Sequence, residues 1–280
     1  MDNPSLTVAE KEKTSRLALW EVAALVAILL LTTFFRTHLF RAAPPGLQHD
    51  EVFKAHFATY ILQGEHPAFF DTNGREEALY PYLTALSLLF LGENYFALRL
   101  VAVFSGILSV AFLYRLICEL FGRGVGLLTA AGVAISFWHG FDSRVGLRPI
   151  TLLLLELICF FFFWLGLRRS REGWFLLSGL FLGLTQYTYT SAPLVAVTIL
   201  AFALYLLVFH GGLLRRHLRG LILLFLVALA VTAPMAYHIY RNPVASTARA
   251  RDLSDLRNLL LFQGEPGPIL KDMVNVLGMF

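Results

Sequence analysis

Stretches of apolar residues close to a membrane's thickness recur along nearly the whole of this chain. They fall at 17–35, 96–120, 124–140, 149–167, 173–189, 192–210 and 218–240, with a shorter run at 79–92. About 20 apolar residues, coiled as a helix, cross the hydrocarbon of a bilayer. Hydrocarbon offers no partner to backbone N–H and C=O groups, so each run must be a helix. The chain is 57% hydrophobic and only 15% charged, against about a quarter charged for a soluble domain. The reading is an all-α integral membrane protein with about seven spans in a membrane domain at 17–240. Connections are short, and only 36–95 has room for anything more. The net charge of +4 is spread over the loops, which suits topology and phosphate contacts rather than a nucleic-acid surface. Cys118 and Cys159 lie in apolar helices, so neither a disulfide framework nor a metal site is indicated.

Arginines set the topology. Arg168, Arg169 and Arg171 form one basic cluster, and Arg215, Arg216 and Arg219 another. Two spans separate them, so they share a side, and basic clusters of this density mark the cytoplasm. Counting back places 141–148 outside, Arg123 inside, and both ends of 36–95 outside. The run at 79–92 therefore does not cross. It reads as an interfacial helix with Tyr80, Thr84 and Ser87 on a narrow polar face. From Glu51 to Gln63, Phe53, Phe57, Tyr60 and Ile61 line one apolar face, with Glu51 and Lys54 off it, giving a second interfacial helix. Residues 1–16 read as a cytoplasmic tail, with the first run uncleaved. Residues 241–280 read as an outer loop of a truncated sequence. The expected location is the inner (plasma) membrane, multi-pass, with its working face outside.

Candidate chemistry gathers on that outer face. Asp50 and Glu51 stand together just beyond the first span. A carboxylate there can take a proton from a hydroxyl that attacks a sugar. Asp50 can equally cap the helix that begins at Glu51. Arg99, Arg144 and Arg148 can bind a phosphate, or snorkel to the interface or pair locally with Asp142. Glu77 and Tyr80 open the second interfacial helix and can meet sugar hydroxyls, or simply be a solvated helix start. Tyr187 and Tyr189 can stack on a sugar or belong to an aromatic belt. Glu156, inside a span, is an expensive acid with Arg148 within reach as a partner. The chain shows no Gly-rich phosphate cradle, no Ser-His-Asp arrangement and no metal-spaced His/Cys set.

The order of these pieces resembles the GT-C glycosyltransferases. A first span is followed by Asp50-Glu51 opening an interfacial helix, then by Glu77-Ala78-Leu79-Tyr80-Pro81-Tyr82, then by Phe96-Ala97-Leu98-Arg99-Leu100. The likeness is to the dolichyl-phosphate-mannose–protein mannosyltransferases and the lipid A aminoarabinose transferases. It implies a GT-C-type bundle with two interfacial helices in an outer catalytic loop at 36–95. It implies inverting transfer of a sugar from a polyprenyl-phosphate carrier to a hydroxyl on a protein, lipid or glycan acceptor. Asp50 matches the base position, Glu51 its acidic partner, Glu77 the second-helix Glu and Arg99 the arginine of the second span. Ala78 stands where the aminoarabinose enzymes carry a Lys, and Arg148 where they carry a second Asp. No cofactor is required by the resemblance, and a divalent metal stays open. A polytopic transporter or lipid flippase is the alternative, but paired halves and midplane helix breaks are not seen.

Overall fold

The computed structural model describes residues 19–40, 42–71 and 76–242. The expected tail at 1–16 and the outer segment beyond 242 lie outside the described residues. The elements are α1 (Leu19–Thr37), α2 (His49–Leu62), β1 (Phe69–Phe70), β2 (Glu76–Glu77), α3 (Leu79–Leu91), α4 (Tyr95–Phe121), α5 (Arg123–Ile135), α6 (Phe137–Arg144), α7 (Pro149–Arg169), α8 (Glu172–Thr185), α9 (Pro193–Phe209) and α10 (Gly211–Arg241). Helices α1, α4, α7 and the Arg215–Arg241 part of α10 are long and apolar enough to cross a membrane. Large hydrophobics on their outer faces, such as Leu30, Phe34, Phe104 and Leu229, are exposed. That is what a lipid-facing surface requires.

Two clusters hold the bundle. Phe163, Phe175, Leu182, Ile199 and Leu224 join α7, α8, α9 and α10, while Val110, Tyr114 and Ala130 join α4 and α5 to α1. Since lipid is as apolar as leucine, close backbone approach matters more here than burial. Gly179 and Gly183, four residues apart on α8, provide it. A Cβ at Gly179 would collide with the Leu224 carbonyl oxygen, and one at Gly183 would sit 2.6 Å from Cβ of Val231.

Polar contacts sort the loops into two ends. At one end, Glu21 accepts from Tyr114 Oη and pairs with Arg123 at 2.9 Å, and Glu119 pairs with Arg168. At the other, Glu51 accepts from Gly146 N at 3.0 Å, Leu79 N donates to Tyr187 O at 3.0 Å, and His238 meets Asp71 at 2.9 Å. Residues from the first long connection, from 145–148, from 186–190 and from the end of α10 thus converge.

Several expectations need correction. The run at 124–140 is not one straight helix, because α5 and α6 meet at 59° across Ser136. The fully buried Arg36 explains the break. Its Nη1 takes the Ala134 carbonyl at 3.1 Å and the Thr32 carbonyl at 3.0 Å, and its Nη2 meets His139 Nδ1. A side chain inserted into the helix ladder is a standard cause of a kink. The run at 173–189 gives only 14 helical residues, α8. Beyond Thr185 the chain turns, and Gln186 Nε2 bonds back to the Leu182 carbonyl and forward to that of Ala192. Arg215, Arg216 and Arg219 lie in the first turns of α10 rather than in a loop.

The first long connection also differs in detail. It holds the two helices α2 and α3, plus a two-residue antiparallel ladder pairing Phe69 with Glu77 and Phe70 with Glu76. The apolar face expected for α2 is buried through Phe57, with Phe53 and Ile61 packed beside it, but the buried surface also takes in charged residues expected off that face. Glu51, Lys54, Phe57 and Ala58 are buried, and Tyr60 is exposed. The polar face of α3 turns inward too: Tyr80 and Thr84 are fully buried, and Ser87 donates to Ala97 O at 2.7 Å. On α2 ion pairs of Glu51 with Arg99 and of Lys54 with Glu76 bring charge inward, and on α3 hydroxyls bond backbone carbonyls, neither of which an apolar count registers.

Candidate active site

Helix α2 begins at His49, two residues earlier than a cap at Asp50 requires. Gln48 occupies the cap position, and its N–H donates to Glu51 Oε2 at 2.9 Å. Asp50 therefore lies in the first turn, where the helix dipole favours a negative charge. Its carboxylate is 61% exposed, and His49 Nδ1 lies 3.8 Å from it. The capping reading of Asp50 does not hold.

Glu51 points the other way, into the protein. Its Oε1 accepts from Arg99 Nε at 2.6 Å and from Gly146 N at 3.0 Å, and its Oε2 accepts from Arg99 Nη2 at 2.9 Å and from Gln48 N. Burial alone would raise its pKa. The Arg99 guanidinium and the two backbone N–H groups outweigh that and hold it below its usual 4.5. Arg99 also donates to Gly46 O at 2.6 Å, Pro44 O at 3.3 Å and Phe40 O at 3.4 Å. It lines a cavity of about 610 Å³ with Phe40 and Tyr95. All its donor groups are nevertheless engaged, so in this arrangement it clamps the loop before α2.

Glu77 forms a second clamp. One oxygen accepts from Arg148 Nη1 and the other from Thr190 Oγ1 at 3.2 Å, and the Arg148 guanidinium lies 5.3 Å from the Tyr189 ring centroid. Arg148 thus pairs with Glu77 rather than with Glu156 or Asp142. Between the clamps lie Lys54 and Glu76, 3.7 Å apart and both buried. Lys54 Nζ donates to the Asp50 carbonyl at 2.9 Å. Burial pushes the Lys54 pKa down and the Glu76 pKa up, with their mutual attraction opposing both shifts. Glu76 Oε2 and Tyr80 Oη are buried with no hydrogen-bond partner among the described residues. Burial, with Glu51 and Glu76 nearby, keeps the Tyr80 phenol firmly protonated.

The remaining expected residues separate. Arg144 donates to Phe35 O and Ala43 O, each at 2.6 Å, and stands at a largely apolar cavity of about 450 Å³ lined by Phe35, Pro44, Ile135, Phe137 and Phe141. Tyr187 has a structural task. Pro234 interrupts α10, and the Tyr187 hydroxyl donates to Val231 O at 2.9 Å while Met235 N donates to it at 3.3 Å. It replaces a missing rung of the helix. Asp50, Glu51, Arg99, Glu77, Tyr80, Arg148 and Tyr189 thus belong to one neighbourhood, with Tyr80 fully enclosed, while Arg144 and Tyr187 sit at its borders. Sequence reasoning overlooked Lys54, Gly146 and Thr190. Lys54 carried one usable signal, its placement one turn after Asp50 and Glu51.

A family model described as dolichyl-phosphate-mannose-protein mannosyltransferase matches residues 77–238, more than half of the chain. The chain belongs to this family. The mannosyltransferase-family match begins at Glu77, the residue paired with Arg148. Among solved structures, ArnT from Cupriavidus metallidurans in the apo state superposes with a TM-score of 0.60 at 19% identity, covering 82% of this chain and 43% of that one. The Archaeoglobus fulgidus oligosaccharyltransferase in the apo form gives 0.61 at 15% identity, covering 92% and 39%. ArnT bound to undecaprenyl phosphate gives 0.60 at 19%, covering 82% and 42%. The fold is therefore that of the GT-C membrane enzymes. This mannosyltransferase-family chain spans about two fifths of the length of these structures. No curated protein matches it.

Proposed function

We propose that this protein is a membrane glycosyltransferase that moves a sugar from a polyprenyl-phosphate carrier to an acceptor hydroxyl, with Asp50 as the base. One observation carries the reading. Four acids, Asp50, Glu51, Glu76 and Glu77, gather at one end of the bundle, and three are buried in ion pairs. Asp50 alone of these keeps an open carboxylate without a hydrogen bond, and it rises from the rim of the cluster. A general base must be ionised and reachable, and Asp50 is the member that satisfies accessibility. Glu51, carrying four hydrogen bonds, acts as a positioning residue that fixes the first turn of α2 and so the direction of Asp50.

The reaction that fits is a single inverting displacement. The acceptor oxygen attacks the anomeric carbon, Asp50 takes its proton, and the bond to the lipid phosphate breaks. The departing phosphate needs positive charge. Arg148, which gives Glu77 only its Nη1, serves the phosphate better than Arg99 or Arg144, whose nitrogens are all engaged by Glu51 or backbone carbonyls. One structural relative, ArnT, was solved bound to undecaprenyl phosphate, which is consistent with such a donor. The Archaeoglobus fulgidus oligosaccharyltransferase was also solved tethered with an acceptor peptide, consistent with a polypeptide acceptor. The basic clusters at Arg168–Arg171 and Arg215–Arg219 lie at the opposite end, which supports a working site on the outer face.

The test uses the full-length protein in vesicles with a panel of polyprenyl-phosphate sugars, reading release of the lipid phosphate. Asp50→Asn should lower turnover by about 10²–10⁴-fold, the worth of a positioned base, with thermal stability unchanged. Turnover within twofold of wild type would refute the base assignment.

A further inference from the structure

The sequence allowed Asp142 to pair with Arg144 or Arg148, and the structure gives it neither. Arg144 is spent on Phe35 O and Ala43 O, and Arg148 on Glu77. Arg36, the third arginine of this region, is spent on two helix carbonyls and on His139. Asp142, at the end of the bundle that carries the acid cluster, is a half-buried carboxylate with no ion-pair partner among the described residues.

It lines a cavity of about 360 Å³ opened by the break between α5 and α6 and walled by α4 and α7. Trp138, 59% exposed, stands at the rim. His139 lies in the wall, with Nδ1 accepting from Arg36 and Nε2 meeting Ser109 Oγ at 2.8 Å. With Nδ1 receiving the guanidinium proton, the imidazole is neutral and both its nitrogens are occupied. Below, the lining turns apolar through Leu113, Leu153 and Leu157. From Pro149 to Leu157 the wall descends about 12 Å along α7 at the helical rise. The cavity is therefore amphipathic from top to bottom: an anionic group at the top, an aromatic beside it, and an alkyl-lined slot beneath.

We propose that this cavity is a lateral binding site for a membrane lipid with a primary-ammonium headgroup. The ammonium donates to Asp142 and lies against the Trp138 ring, and an acyl chain runs down past Leu153 and Leu157. A carboxylate half out of water needs a partner, and an ammonium supplies both charge and N–H donors, with the indole adding cation–π attraction. The site lies on residues that the proposed chemistry at Asp50 does not use, so it stands or falls independently of that reading.

Purified full-length protein is incubated with equal amounts of phosphatidylethanolamine, phosphatidylglycerol and phosphatidylcholine of one acyl composition. Retained lipid is read by native mass spectrometry. Wild type should retain the ethanolamine lipid about tenfold over the glycerol lipid, the scale of one hydrogen bond to a charged group. Asp142→Asn should abolish the preference, Asp142→Glu should keep it, and Asp50→Asn should leave it unchanged. Leu153→Phe, which narrows the slot and leaves the carboxylate in place, should weaken retention of the ethanolamine lipid. Equal retention of all three lipids by wild type would overturn the proposal, as would undiminished preference in Asp142→Asn. Equal retention of the choline lipid would also overturn it, because a quaternary ammonium has no N–H to donate. Displacement of the retained lipid by millimolar free ethanolamine would refute the acyl-chain part of the site.

Discussion

Replacing Arg99 by Met separates two roles that the sequence could not. If Arg99 holds the donor phosphate, its loss raises the donor KM and leaves the fold intact. The structure argues for the clamp. Arg99 is 1% exposed and makes two hydrogen bonds to Glu51 and three to the carbonyls of Phe40, Pro44 and Gly46. In Arg99→Met, Glu51 stays buried with only the Gln48 and Gly146 N–H groups, and three carbonyls lose their donor. Removing one partner of a buried ion pair costs about 3–5 kcal/mol, a large share of the roughly 5–15 kcal/mol that holds a typical fold. At about 2–4 °C per kcal/mol for a chain of this size, the midpoint should fall by roughly 6–20 °C. The assay is thermal unfolding of detergent-purified protein, run beside undecaprenyl phosphate binding. Arg99→Met and Glu51→Gln should each be destabilised, and the double variant should lose less than the sum. A melting point within 2 °C of wild type, with phosphate binding lost, would refute the clamp and restore the phosphate role.

The same pair sets a pH dependence. The Glu51 pKa is lower in the folded protein than its usual 4.5, so its contribution is complete above that value and is lost as pH falls through the folded value. The stability difference between wild type and Glu51→Gln, followed by melting from pH 6 to pH 3, should shrink toward the acid end; a constant difference would contradict the linkage. Gly179→Ala should lower the melting point by several degrees, because the new Cβ meets the Leu224 carbonyl, which is backbone and cannot swing away. Tyr187→Phe should cost about 1–2 kcal/mol by stranding Val231 O and Met235 N, with the donor KM unchanged. A raised KM at full stability would instead make Tyr187 a ligand contact.

Much of the fold was legible because apolar runs have a fixed physical length. The runs ending at Phe35 and beginning at Phe96 coincide closely with α1 and α4. The break at Ser136 was not legible, since no Pro or Gly occupies it. Its cause is Arg36, 98 residues away from the carbonyl it takes. The site divides in the same manner. Asp50-Glu51 announced itself as an acid pair beyond a span, but nothing local told the two acids apart. The partners that do so, Arg99 and Gly146, lie 48 and 95 residues downstream of Glu51. Lys54 falls off the apolar face of α2, yet it is buried in an ion pair with Glu76 of the small ladder. Interfacial helices escape amphipathic counting when they turn charges inward.

The stretch 186–190 has a further consequence. Its Tyr187 carbonyl anchors the start of α3, its Thr190 hydroxyl holds Glu77, and its Tyr187 hydroxyl fills the gap at Pro234. Surface connections ordinarily absorb insertions freely. This one is a three-way joint with no slack, so a single added residue would shift two of its moorings out of register. An inserted residue should be tolerated at the start of α10, beside Gly211–Gly212, where a Cβ meets open space, and rejected here.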